Sequence, residues 1–244
     1  MANDAPNPAF PTTHWTLVQI VQGEDRKKAA EALEDICGRY WYPIYAFLRR
    51  SGHSSHDAED LTQMLFQQLV IDDAIKDVRQ ERGRLRSFLI GMVRRVTIRQ
   101  VRHDHAEKRG GQVTLISLDE AAADERYTLE EALHLDPERL YDRAWAVQML
   151  ETVRQNLRSS FIKNKRLKDY EILEPYLGWE DIPAPFAELG EQLGSNANAA
   201  RVLIHRLRKK FRELVQKEIS KTVVNPEDIE EEIEWLQTVL KGDA

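Results

Sequence analysis

Apolar residues recur along almost the whole of this chain at intervals of three and four, the spacing that turns one face of an α-helix toward a core. Only 11 glycines and 9 prolines interrupt its 244 residues, and alternating, strand-like runs are scarce. An all-α fold is therefore expected. The sequence has no repeat of fixed period and no long low-complexity tract.

The periodicity starts near Asp25, passes through Ala29, Leu33, Ile36 and Cys37, and enters an aromatic cluster of Tyr40, Trp41, Tyr42, Tyr45 and Phe47. Aromatics at helical spacing pack inward, so this cluster is expected in a core. Ser54, with Asp57 three residues on, resembles a capping box and opens a helix carrying Ala58, Leu61, Leu65 and Leu69 on one face. A third helix should run from about Leu85 to His103. Beyond Gly110 the pattern loosens, and Ser117 to Asp142 holds nine acidic residues against Arg126 and Arg139, which reads as a solvated acidic linker.

A second helical block begins near Leu140 with Trp145, Val147, Leu150, Val153 and Leu157, and continues with Tyr170, Leu173 and Leu177. After Pro183 and Pro185 come a short helix ending at Gly194, a long one from about Ala197 to Ser220, and an acidic one from Pro226 to Leu240. At roughly 100–200 residues per domain the length allows two small domains. The expected division is an N-terminal extension (1–24), a first helical domain (25–110), an acidic linker (111–139), a second helical domain (140–222) and an acidic C-terminal helix (223–244).

Several classes are excluded early. One cysteine, Cys37, rules out an internal disulfide framework and a cysteine-based zinc site, and its place in an apolar stripe predicts a buried thiol. The longest apolar run, Tyr40 to Leu48, is far short of the roughly 20 residues of a membrane span. The N-terminus lacks the basic and apolar segments of a signal peptide. A soluble, cytoplasmic protein without a membrane partner is expected. The pairs His53/His56 and His103/His105 belong to no set of three or four ligands, and no phosphate loop, nucleophile elbow or zinc-protease motif is present. No metal, no cofactor and no enzyme activity are expected.

The net charge of −6 argues at first against a nucleic-acid partner. Its distribution reverses that inference. Arg79 to Arg109 carries ten basic residues and three acidic ones, a local +7, and Arg201 to Lys221 carries eight and two, a local +6. Asn225 to Ala244 carries seven acids and one lysine, a local −6. One basic helix in each domain suits neutralisation of a phosphate backbone.

Phe186, Leu189 and Leu193 mark the apolar stripe of the short helix, with Gly190 where a second helix must cross closely and Gly194 at a turn that needs positive φ. This is the spacing of a helix-turn-helix. The next helix should bury Ala200, Leu203, Ile204, Leu207, Phe211 and Leu214 and present Asn198, Arg201, His205, Arg206, Arg208, Lys209 and Arg212. The start of such a helix enters the major groove, which places Asn198 and Arg201 near base edges and Arg206, Lys209 and Lys210 near phosphates, with His205 on the same face.

The order of these parts resembles bacterial sigma-70-type RNA polymerase factors of the extracytoplasmic-function (ECF) group. The resemblance rests on "RYWYPIYAFLRRSGHSSHDAEDLTQMLFQQLV", "RGRLRSFLIGMVRRVTIRQVRHDHAEKRGG", the "ISLDE" of the acidic segment and "FAELGEQLGSNANAARVLIHRLRKKFRELVQKEI", and "FPTTHWTLV" is similar to the opening of one branch of that group. It implies a sigma2-like helical bundle and a sigma4-like helix-turn-helix domain. It also implies that Asp57, Asp60, Gln63, Met64 and Gln67 dock on the clamp coiled coil of core RNA polymerase. Acids at a helix start are also favourable against the helix dipole, by about 0.3–1 kcal/mol each.

The basic helix, with Arg84, Arg86, Arg94, Arg95, Arg99 and Arg102, would by the same resemblance bind the melted minus-ten strand, and the helix-turn-helix would read the minus-thirty-five duplex. Arg95 and Arg99 stand where family members often have Asn and Asp. No aromatic lies between Leu89 and Ala106, so contact there is expected to be electrostatic. The acidic linker would thread the polymerase's RNA-exit path. Promoter DNA and core polymerase are the implied partners, with an anti-sigma or other regulatory protein as a further one. A stand-alone helix-turn-helix regulator and a protein-interaction module are the alternatives. The acidic C-terminal helix is expected to fold back on the second domain, masking the recognition helix, or to bind a regulator.

Overall fold

The computed structural model describes residues 14–71, 85–104, 120–177, 185–223 and 226–241, the side chains of 14–16, 70–71, 99–104 and 120–121 excepted. The elements are α1 (His14–Val21), α2 (Arg26–Arg50), α3 (Ser55–Ile71), α4 (Leu85–Asp104), α5 (Glu120–Glu131), α6 (Pro137–Lys163), α7 (Leu167–Leu173) with a 3-10 turn at Glu174–Tyr176, α8 (Phe186–Gln192), α9 (Ala197–Ile219) and α10 (Asp228–Lys241). The fold is all-α, with no strand among the described residues. The chain forms two compact units, one of Met1–Gln148 with Ser220–Ala244 and one of Met149–Ile219.

The first unit is built on α2. Asp25 caps it, its carboxylate accepting from the Lys27 and Lys28 backbone N–H groups at 3.1 and 3.2 Å. These bonds hold the Asp25 carboxyl below its ordinary pKa. Pro43 lies inside the helix, where its ring removes one backbone hydrogen bond. Burial of Tyr42, Ile44, Tyr45 and Ala46 around it offsets that loss. The aromatic cluster is buried as expected, and Trp41 stacks on Tyr45 with ring centroids 5.2 Å apart. Ser54 does begin α3: its Oγ accepts from the Asp57 N–H at 3.1 Å and donates to the Asp57 carboxylate at 2.7 Å.

Three segments pack differently from expectation. Within the expected N-terminal extension, α1 lies on α2 and buries Leu17 and Val18. Within the expected acidic linker, α5 docks on α2. Its Ala123 and Tyr127, one turn apart, are buried, and its acids find partners: Asp124 takes Arg49 and the Tyr45 hydroxyl, and Glu130 accepts from the Tyr42 hydroxyl at 2.9 Å. The third is α10. It belongs to the first unit, where Ile233, Leu236 and Val239 are buried and Trp235 lies against Trp145 of α6 and the Arg86 guanidinium of α4.

In the second unit, Val153 and Leu157 of α6 are buried and the Phe161 ring lies 5.5 Å from that of Tyr170. The α9 stripe is Ala200, Ile204, Leu207, Phe211, Val215 and Ile219, whereas Leu203 and Leu214 are half-buried. Four-residue steps carry the stripe along the side of the helix past those two leucines.

Candidate nucleic-acid and partner interfaces

Helix α4 is fixed by Leu85, Leu89, Met92, Val93 and Val96, all buried. Arg94 and Arg95 fall off this stripe and are exposed. Arg94 pairs with Glu138 at the start of α6, both side chains about half exposed, and the Arg95 guanidinium lies 6.0 Å from the Phe88 ring centroid. Arg84 and the side chains of Arg99 and Arg102 lie outside the described residues. Arg86 departs from its expected place on the basic surface. Counted along the helix it sits on the core stripe with Leu89 and Val93, and it is 5% exposed, bound to the Glu232 carboxylate of α10. Sequence reading took its charge as a mark of the surface and missed the partner 146 residues away.

The α8–α9 pair closes through a tight turn. The Ser195 N–H reaches the Gly190 carbonyl at 2.6 Å and the Gly194 N–H reaches that of Glu191 at 3.0 Å, with Gly194 at φ +62°. This is a Schellman cap, and it requires the residue at Gly194 to be left-handed. Gly190 is needed for a different reason. A Cβ there would lie 2.6 Å from the Asn196 carbonyl carbon and 2.9 Å from the Ala197 nitrogen. Asn196 caps α9, its Oδ1 accepting from the Ala199 N–H at 3.0 Å.

That cap puts Asn198 in the first turn of α9. Asn198, Arg201, His205, Arg206, Lys209 and Lys210 are all exposed. Arg201 lies 4.9 Å from the Phe186 ring centroid, and Lys210 is 3.6 Å from Glu213. Arg208 is turned to another task, its Nε donating to the Tyr176 carbonyl at 3.0 Å. Apolar side chains that periodicity does not assign to these surfaces also stand on them, Ile98 on α4 and Val202 on α9, at 54% and 47% exposure. Their displacement from the buried stripes was the available signal.

On α3, Ala58, Leu61, Leu65 and Leu69 form the buried face, which leaves Asp57 exposed and Asp60, Gln63, Met64 and Gln67 half-buried. His56 approaches Asp60 at 3.6 Å, and Gln63 donates to Glu59 at 3.1 Å. The result is a continuous acid-and-amide strip. It can take an N–H- or cation-bearing partner.

Cys37 is buried, and burial pushes its thiol up to about 12. No group of three or more His, Cys, Asp or Glu among the described residues could hold a metal ion. No described helix is long and apolar enough to cross a membrane. No curated protein and no solved structure matches the chain. Residues 39–107, which take in the aromatic half of α2, all of α3 and all of α4, match the family model for Sigma-70 region 2, and this match supports a sigma-70 family RNA polymerase sigma factor.

Proposed function

We propose that the protein is an ECF-type sigma subunit: it binds core RNA polymerase through α3, contacts the separated minus-ten strand with the exposed cations of α4, and reads a minus-thirty-five duplex with α9. It works in the cytoplasm, where polymerase is, and catalyses no reaction itself. The observation that carries this reading is the matched segment 39–107, which contains both an acid-and-amide strip and a basic helix on one small bundle. A stand-alone DNA-binding regulator has no use for the first of these. The capped α8–α9 turn and the exposed Asn198, Arg201, Arg206 and Lys209 support the reading of the second unit as the duplex reader.

The test is reconstitution. Purified protein mixed with bacterial core polymerase should form a complex and direct transcription from a promoter selected from a random-sequence pool. Asp60→Arg places a cation in the middle of the α3 strip without touching its buried face. It should lower core affinity at least about tenfold, more than 1.4 kcal/mol, and leave duplex binding by α9 unchanged. Tight duplex binding by the free protein with no core complex would favour the regulator reading.

A further inference from the structure

The Arg86 guanidinium is the centre of a buried cluster contributed by three helices. Its Nη1 and Nη2 both donate to Glu232 of α10, the second at 3.4 Å, and its Nε lies 3.9 Å from Asp142 of α6. The Trp235 and Trp145 ring centroids stand 3.8 and 4.8 Å from its carbon. The Glu232 side chain is 0% exposed. Two further bonds fix the frame: the Tyr141 hydroxyl donates to the Arg86 carbonyl at 3.1 Å, and Arg143 donates to the Leu240 carbonyl at 2.6 Å, capping the end of α10. Arg86 lies within residues 39–107, but Asp142, Trp145, Glu232 and Trp235 all lie beyond them. The C-terminal segment therefore supplies what the basic helix needs at its first turn.

We propose that α10 is a positioning element for α4, with Glu232, acting through Arg86, holding the first turn of the helix so that Arg94 and Arg95 engage the separated DNA strand. This rests on the sigma reading above. A buried ion pair adds little stability over an apolar pair of similar volume, but it accepts one partner in one register, which suits an element that must fix a neighbour. Arg86 itself does not touch DNA. The chemistry that recognises it is a carboxylate together with two indole rings close to the guanidinium, supplied within the chain.

The experiment uses full-length protein with core polymerase and the promoter selected by the wild type, reading core affinity and, separately, strand opening by permanganate reactivity of unpaired thymines. Glu232→Gln should leave core affinity within about twofold and lower strand opening about tenfold, since the buried guanidinium then loses its hydrogen-bonded carboxylate and keeps only Asp142, at 3.9 Å. Arg86→Met/Glu232→Leu restores an uncharged, space-filling contact and should recover most of the opening. Recovery by that pair distinguishes positioning from direct contact of Arg86 with DNA.

Wild-type opening by Glu232→Gln would overturn the proposal. So would a double variant as defective as Arg86→Met alone while hydrogen exchange shows the α10 amides still protected. If Glu232→Gln does not fold, the double variant decides by itself. Failure of the wild type to bind core or open any promoter would instead overturn the sigma reading, and the proposal with it.

Discussion

Single residues show most plainly what local chemistry dictates. Cys37 is sealed in the first unit, and its thiol, pushed up to about 12 by burial, stays protonated through neutral pH. Folded protein at pH 8 should therefore resist a thiol reagent for hours and react within minutes in denaturant; rapid labelling of the native chain would contradict the burial. Gly190 and Gly194 make a sharper contrast. Gly190→Ala drives a Cβ into the backbone of Asn196 and Ala197, atoms that cannot swing away, and should cost about 1–3 kcal/mol as overpacking does. Gly194→Ala meets open space and pays only for its left-handed φ of +62°, about 1–2 kcal/mol. Hydrogen exchange of α9 amides in the two variants should rank them in that order. Both glycines were legible in the sequence because the demand on each is local. Lys165 and His134 were not, since they adopt positive φ at helix ends with side chains that give no sign of it.

At the scale of whole helices, periodicity located the starts of α2, α3, α4 and α9 and the ends of α4 and α9 to within a residue, and capping chemistry at Asp25 and Ser54 explains why the first two starts are readable. Periodicity says which face is buried but not which neighbour buries it. The acid-rich stretch around Asp124 and Glu130 reads as solvated only while Tyr42, Tyr45 and Arg49, some 75 to 88 residues away, are out of sight. For α9 the split is clean, because the cations assigned to phosphates are exposed and the apolar stripe is buried. Each phosphate contact contributes about −0.9 to the slope of log K against log salt on duplex DNA. Arg206→Ala and Lys209→Ala should each flatten that slope by about one unit for the full chain. Asn198→Ala should leave it unchanged and reduce discrimination between sequences. Anisotropy titrations across a salt series separate these outcomes, and a steepened or unaltered slope for both cation variants would remove α9 from the phosphate backbone.

For the molecule as a whole, the chain enters the first unit, leaves it at Met149 within α6, and returns at Ser220 to complete it with α10. The net charge of −6 hides this arrangement as well as the basic helices, because one of its negative blocks is a structural part of the first unit and not a free tail. The two units should therefore respond independently to loss of the C-terminus. Deleting residues 226–244 removes both the Glu232 partner and the Trp235 cover of Arg86 and uncovers Trp145, which should destabilise the first unit. Hydrogen exchange in mild urea should then show α2 and α4 losing protection while the α9 amides keep theirs. Unchanged protection of α2 and α4 in the deletion variant would remove α10 from the support of the first unit.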